Sequence, residues 1–453
     1  MKREGFGTRL GFILISAGCA IGIGNVWKFP YMVGQSGGGA FVLIYLLFLA
    51  ILGIPILTME FAIGRASQSS PAKLYQRLEP KGTKWHIHSY FAVAGNYLLM
   101  MFYTTVCAWM VRYLVYMAGG EFVGLDNIGV KDKFNEMLSE PWVMAAFVAG
   151  VCVVGFLICS LGLQKGLERV SKVMMIALLV IMIVLVINSL TLGGAKEGLS
   201  FYLLPNLENV KNVGIETVIV SAMNQAFFTL SIGIGSMAIF GSYIGKERAL
   251  MGESVRISLV DTFVAICSGL IIFPACFTYG VDVNSGPDLI FVTLPNIFNN
   301  MPLGRVWGSF FFVFMVFAAF STVLAVFQNI IACTSDMFGW SVKKACIING
   351  IAMPILSLPC VFGFNILSGV KILGGNIMDF EDFLVSNILL PLGSLIFVLF
   401  CVSRYGWGWR NFESEANEGK GMKIAKWMRP YMTYVLPVLV LTIFVVGLVQ
   451  YFS

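Results

Sequence analysis

Apolar residues run along this chain in long unbroken stretches, not in the alternation of a half-buried strand or the narrow stripe of a surface helix. The stretches fall at roughly 9 to 33, 39 to 64, 87 to 117, 143 to 162, 167 to 190, 214 to 240, 253 to 279, 306 to 333, 345 to 363, 382 to 403 and 431 to 452. A helix needs about 20 such residues to cross the hydrocarbon core of a bilayer. The pattern predicts an all-α polytopic membrane protein with eleven transmembrane helices, folded as a single domain over 1 to 453.

Two stretches are interrupted. The first carries Gly18, Gly22 and Gly24 beside Asn25, and the sixth carries Thr229, Ser231, Gly233 and Gly235 after Phe228. Glycine costs about 1 kcal/mol relative to alanine inside a helix, and backbone opened at mid-membrane depth must line a polar cavity because lipid cannot satisfy it. One such cluster could serve only close helix packing. Two clusters at matched positions, five stretches apart, predict broken helices in an inverted repeat, roughly 9 to 190 and 214 to 403, with 431 to 452 as an extra helix. Freed carbonyls suit a small cation and a half-helix N-terminus suits a carboxylate, so the pair fits a zwitterion beside Na+.

Composition narrows the class. Of 453 residues, 58% are hydrophobic and only 12% charged, about half the charge of a soluble globular chain. That excludes a cytosolic enzyme, a disordered scaffold and a secreted disulfide protein. The net charge of +6 matters through its placement. With the N-terminus cytoplasmic, 22 of the 30 Lys and Arg lie on the cytoplasmic side and eight outside, which the positive-inside rule favours and which leaves the C-terminus outside. The basic N-terminus, Met1 to Arg9, runs into an apolar stretch without a cleavage site and reads as a retained first helix. The ten cysteines form no CxxC pair, and the absence of any Asn-x-Ser/Thr sequon points to a bacterial inner (plasma) membrane. Trp27 breaks a GxGxxG match, His86 and His88 have no further ligands nearby, and no Ser-His-Asp or HExxH set occurs. The chain is not expected to be an enzyme.

The residues also resemble a family. Arg9, Leu10, Gly11, Ala17, Gly18, Ala20, Gly22, Gly24, Asn25, Trp27, Phe29 and Pro30, then Gly37 to Phe41, Ile54, Pro55 and Glu60, and finally Gln225 to Ser231, closely resemble the neurotransmitter:sodium symporters, whose bacterial template is LeuT. The likeness runs from Arg3 to Ser403. It implies a LeuT fold with a 5+5 inverted repeat and broken helices 1 and 6. It also implies sodium-coupled symport of a hydrophobic amino acid, aromatic ones included, by alternating access with two Na+ ions. The partners are then a small-molecule amino acid and the lipid bilayer, with no nucleic acid; nothing in the sequence specifies an oligomeric state.

By the same resemblance, the first sodium site takes the Ala20 carbonyl, the Asn25 side chain, the Thr229 carbonyl and hydroxyl, and Asp261. The second takes the carbonyls of Gly18, Ile21 and Ala318 with the hydroxyls of Ser321 and Thr322. The substrate carboxylate meets the N–H groups near Ile23 and Gly24 and the Tyr103 hydroxyl; its ammonium meets Ala20, Phe228, Thr229 and Ser231. Its side chain sits among Ile23, Leu99, Phe228, Ile234 and Val326. Outside, Lys28 and Asp382 form a gate above Phe228; inside, Arg3 pairs with Asp336 near Phe6, Tyr243 and Gln328. Glu60 is expected to hold the unwound part of helix 1. Asp261, an ionisable group within a span, resembles the fixed carboxylate of chloride-independent members. Three positions depart from the family: Lys28 stands where arginine is usual, Gly166 is followed ten positions on by Ile176 instead of proline, and Ile234 replaces a phenylalanine.

Overall fold

The computed structural model describes residues 5–280 and 288–452. We label its main helices α1a (Arg9–Ala20), α1b (Gly24–Gln35), α2 (Gly39–Ser67), α3 (Ile87–Gly119), α4 (Pro141–Ser160), α5 (Leu163–Leu190), α6a (Ile215–Thr229), α6b (Ser236–Gly241), α7 (Leu250–Tyr279), α8 (Gly304–Phe338), α9 (Val342–Phe362), α10 (Ile377–Val402) and α11 (Met428–Phe452). Among the described residues, nine of these helices are long and apolar enough to cross a membrane. The pair α1a and α1b, bent by 53°, makes a tenth. The pair α6a and α6b lies where the sixth apolar stretch was read, divided by Leu230 to Gly235.

Both interruptions have local causes. The Thr8 hydroxyl caps α1a by accepting from the Gly11 N–H at 3.0 Å, and the helix ends where Ile21 turns extended, its N–H still reaching the Ala17 carbonyl at 2.6 Å. Gly22 follows because nothing larger fits: a Cβ there would stand 2.1 Å from the Tyr103 hydroxyl oxygen and 2.5 Å from Thr322 Oγ1. In the second break the backbone turns left-handed three times, at Ser231 (φ 51°), Gly233 (φ 104°) and Gly235 (φ 73°). Gly233 also lies against α10, where a Cβ would meet the Leu390 carbonyl oxygen at 2.1 Å.

The helices sort into two packed groups. α1, α2, α6 and α7 touch one another; α3, α4, α8 and α9 do likewise, with the α3–α8 contact the most extensive in the molecule. α1a lies along α8, so the first break faces the middle of α8. We call the face bearing Lys28 and Asp382 the upper face, and that bearing Arg65 and Asp336 the lower face.

Short elements that the apolar pattern did not signal complete the faces. Asn127–Ser139, Ala195–Leu203, Leu207–Val213 and Leu294–Asn299 are helices between the long ones. The polar connector after α10 is ordered: it forms the helix Trp409–Ala416 and then pairs backbone, Lys420 N–H to the Glu247 carbonyl at 2.9 Å and Ala249 N–H to the Lys420 carbonyl at 3.0 Å. All ten cysteines are buried. The two histidines part company, His86 pairing with Glu79 at 2.6 Å and His88 with the Tyr75 hydroxyl at 2.9 Å.

Candidate functional site

Two oxygen-rich clusters flank the broken helices. In the first, Asn25 Nδ2 donates to Asp261 Oδ1 at 2.8 Å and to the Asp261 carbonyl at 3.1 Å. Thr229 Oγ1 lies 3.2 and 3.1 Å from the two carboxylate oxygens. All three side chains are fully buried. Among the described residues no Lys, Arg or His forms an ion pair with Asp261. A buried carboxylate is costly unless paired and can accept about four hydrogen bonds. Two neutral donors leave this one underserved, which a cation between Asp261, Asn25 and Thr229 would correct. Ala20, the last residue of α1a, faces the cavity described below.

The second cluster carries no charge. The Ser321 hydroxyl lies 3.0 Å from the Gly18 carbonyl, 3.3 Å from that of Ile21 and 2.9 Å from that of Ala318. The Thr322 hydroxyl lies 3.2 Å from Gly18 O, 3.3 Å from Cys19 O and 3.4 Å from Ile21 O. Two hydroxyl protons cannot serve four carbonyls at once. A small hard cation bonding several of these oxygens together satisfies what the protons cannot.

Between the clusters lies a cavity of about 10 Å³, walled by Ala20, Gly24, Leu99, Tyr103, Phe228 and Ser231 with Cys19, Gly22, Thr322 and Leu390. The Tyr103 hydroxyl accepts from the Ile23 N–H at 2.9 Å. Gln225 Nε2 holds the break open from the other side by donating to the Gly24 carbonyl at 2.8 Å. A larger cavity of about 240 Å³ opens above, lined by Ile23, Lys28, Tyr103, Phe228 and Asp382 among others. Phe228 and Tyr103 line both spaces and are therefore the partition between them.

Three expected wall residues stand elsewhere. Ile23 faces the upper cavity. Ile234, turned by the left-handed glycines on either side, packs on Gly95 of α3 and lines a separate small cavity with His88 and Leu389. Val326 is wholly buried in α8 one turn beyond Thr322, and it is Thr322 that reaches the wall. The reading of Glu60 also needs correction. Its Oε1 accepts from the Gly233 N–H at 2.5 Å, so it holds the break between α6a and α6b, because the N–H freed by that left-handed turn points toward α2.

At the upper face Lys28 Nζ is 3.3 Å from each oxygen of Asp382 and 4.1 Å from the centre of the Phe228 ring. At the lower face Asp336 accepts from the Ser70 N–H at 2.9 Å and the Ser70 hydroxyl at 2.6 Å, and Gln328 donates to the Tyr243 hydroxyl at 3.0 Å. Phe6 meets Tyr243 edge-on at 5.8 Å. Arg3, the expected partner of Asp336, lies outside the described residues. Sequence reasoning missed Glu168, buried at the start of α5, which accepts from the Gly7 N–H at 2.9 Å and the Thr8 hydroxyl at 2.8 Å and so pins the chain below α1a. It also gave no separate role to Gln225, which was read only as part of the motif Gln225 to Ser231.

Comparisons with known proteins place the chain in a family. The family model described as the sodium:neurotransmitter symporter family matches residues 3–122 and 129–453. An uncharacterized sodium-dependent transporter of Bacillus subtilis (strain 168) is 35% identical over 87% of this chain and 86% of its own length. The sodium-dependent serotonin transporter of Drosophila melanogaster is 24% identical over 99% of this chain and 77% of its own. Among solved structures, that of MhsT in complex with L-phenylalanine superposes with a TM-score of 0.89 at 36% identity, covering 98% of this chain and 100% of that one. The chain is a multi-pass membrane protein with a LeuT-like helical fold, and it belongs to the sodium:neurotransmitter symporter family, a family of secondary transporters and not of enzymes.

Proposed function

We propose that this protein couples the inward movement of hydrophobic amino acids, aromatic ones included, to two Na+ ions by alternating access, without chloride. The observation that carries the reading is the buried carboxylate of Asp261 beside Asn25 and Thr229, which has no cationic side-chain partner among the described residues and lies against the break of α1. A cation there balances the carboxylate. The second ion is held by the oxygens around Ser321 and Thr322. Because Asp261 supplies a fixed negative charge, no anion is needed to offset the ions.

Substrate lies between α1, α3, α6 and α8, its carboxylate toward the Ile23 and Gly24 N–H groups and the Tyr103 hydroxyl, its ammonium toward Ala20, Thr229 and Ser231. The apolar wall of Leu99, Phe228 and Leu390 suits a hydrophobic side chain, and L-phenylalanine in the similar MhsT makes the aromatic acids the first to try. At about 10 Å³ the cavity admits a side chain only when its walls move, and Phe228 is the wall that also faces the upper vestibule. The upper face is then extracellular, with Lys28, Asp382 and Phe228 as the outer gate. The lower face is cytoplasmic, closed by Asp336, Tyr243, Gln328 and the segment ahead of α1a, with Arg3 as a further partner. The N-terminus is cytoplasmic and the C-terminus outside, after eleven crossings of an inner membrane in which Ile215 to Gly241 is the sixth, with 9 to 190 and 214 to 403 as inverted repeats.

The test is uptake of radiolabelled amino acids into proteoliposomes holding the purified protein, with an inward Na+ gradient compared against K+ replacement. Sodium-dependent accumulation of a hydrophobic member supports the reading. Sodium-dependent binding without accumulation makes the protein a sensor, charge flow far exceeding uptake makes it a conductance, and pH-driven uptake without sodium makes it proton-coupled.

A further inference from the structure

A lysine at the outer gate poses a geometric problem. An arginine presents two parallel N–H groups to a carboxylate, whereas an ammonium is a point charge on a flexible stem and fixes no orientation. The stem of Lys28 is nevertheless held so that Nζ lies over the Phe228 ring. The reason is a third oxygen. Ser386 Oγ lies 3.1 Å from Lys28 Nζ and donates its own proton to Asp382 Oδ1 at 2.7 Å. The ammonium therefore meets three oxygens, the two of Asp382 and the one of Ser386, and the serine closes a ring between cation and carboxylate.

Position in the chain supports the same role. Ser386 is four residues after Asp382 on α10 and is 3% exposed, while the lysine and aspartate side chains are 27% and 39% exposed. An ion pair that open to water contributes little by itself. A buried hydroxyl bonded to both ions adds contacts that water competes for poorly, and its fixed place on α10 decides where the ammonium stops. That place is 4.1 Å above Phe228, which with Tyr103 separates the central cavity from the upper one.

We infer that Ser386 is a positioning residue of the outer gate: it supplies the contact that a lysine lacks relative to an arginine, and so holds Lys28 over Phe228 when substrate is enclosed. The inference rests on the symporter reading and on Lys28 and Asp382 acting as its outer gate.

The experiment is release of bound radiolabelled L-phenylalanine from the purified full chain in Na+, after dilution into excess unlabelled ligand, together with KM and kcat for uptake. Ser386→Ala should release phenylalanine about 3- to 10-fold faster, as loss of one charge-assisted hydrogen bond predicts, and raise KM more than it changes kcat. Ser386→Thr, which keeps the hydroxyl, should stay near wild type and controls for folding. Lys28→Arg in the Ser386→Ala background should restore slow release, because the guanidinium can hold Asp382 by two bonds. Wild-type release from Ser386→Ala, or failure of Lys28→Arg to rescue it, overturns the inference about Ser386 alone. Wild-type release from Asp382→Asn overturns the gate itself, and absence of sodium-dependent binding by the wild type overturns the symporter reading.

Discussion

Asn25 and Asp261 are joined twice, through one amide nitrogen that reaches both the carboxylate at 2.8 Å and the main-chain carbonyl at 3.1 Å of the same aspartate. The first break is thereby tied to α7, and the amide is turned so that its own oxygen accepts from the Gly22 N–H at 3.3 Å. Asp261→Asn removes the fixed charge while keeping the shape. Sodium-driven uptake at low chloride should fall at least 10-fold, and added chloride should restore part of it. Uptake assayed in gluconate and in chloride buffers checks this, and unchanged sodium coupling in both would refute the role given to Asp261.

The second cluster predicts a different signature. Ser321→Ala and Thr322→Val each delete one hydroxyl from a site that has no charge to spare, leaving carbonyls of Gly18 and Ile21 with fewer partners. Each loss should raise the sodium concentration for half-maximal phenylalanine binding several-fold. Chloride sensitivity should stay absent, which separates this site from Asp261. Equilibrium binding titrated with NaCl and with sodium gluconate reads both effects.

Gly22→Ala should be far more damaging than its single methyl suggests. The new Cβ would meet the Tyr103 hydroxyl at 2.1 Å and Thr322 Oγ1 at 2.5 Å, displacing a wall of the central cavity and a hydroxyl of the uncharged cluster together. Binding of L-phenylalanine in Na+ should fall below detection while the protein stays folded by size-exclusion profile.

How far the sequence carried the fold can be seen in particular residues. The long apolar stretches show directly because burial in lipid needs only composition, and Gly22 and Gly233 show because their lack of a side chain is demanded by close neighbours. Glu60 was assigned to the wrong break because pattern places a carboxylate on α2 but does not say which freed N–H faces it. Ile234 was misplaced since two left-handed glycines reverse which way a residue between them points. Ser386 and Glu168 were missed because their roles depend on partners far away in the chain, Lys28 for the one and Gly7 and Thr8 for the other, and a serine within α10 or a glutamate in the first turns of α5 is unremarkable until those partners are placed.

The lower face offers a test independent of transport. Arg65, fully buried at the end of α2, donates from Nε to Glu415 at 2.6 Å, from Nη1 to the carbonyls of Arg248 at 2.8 Å and Gly245 at 3.3 Å, and from Nη2 to the Glu415 carbonyl. Three separate segments thus meet at one guanidinium. Glu418 and Glu415 also hold the exposed Lys246 ammonium above its ordinary pKa, so that cation stays charged while Arg65 shares Glu415 with it. Removing one partner of a buried pair costs about 3–5 kcal/mol because the other charge is left uncompensated. Glu415→Gln should therefore lower the thermal midpoint of the detergent-purified protein measurably. Lys246→Ala, which deletes only an exposed contact, should change it little. If both variants melt alike, Arg65 draws its stability from the carbonyls and not from Glu415.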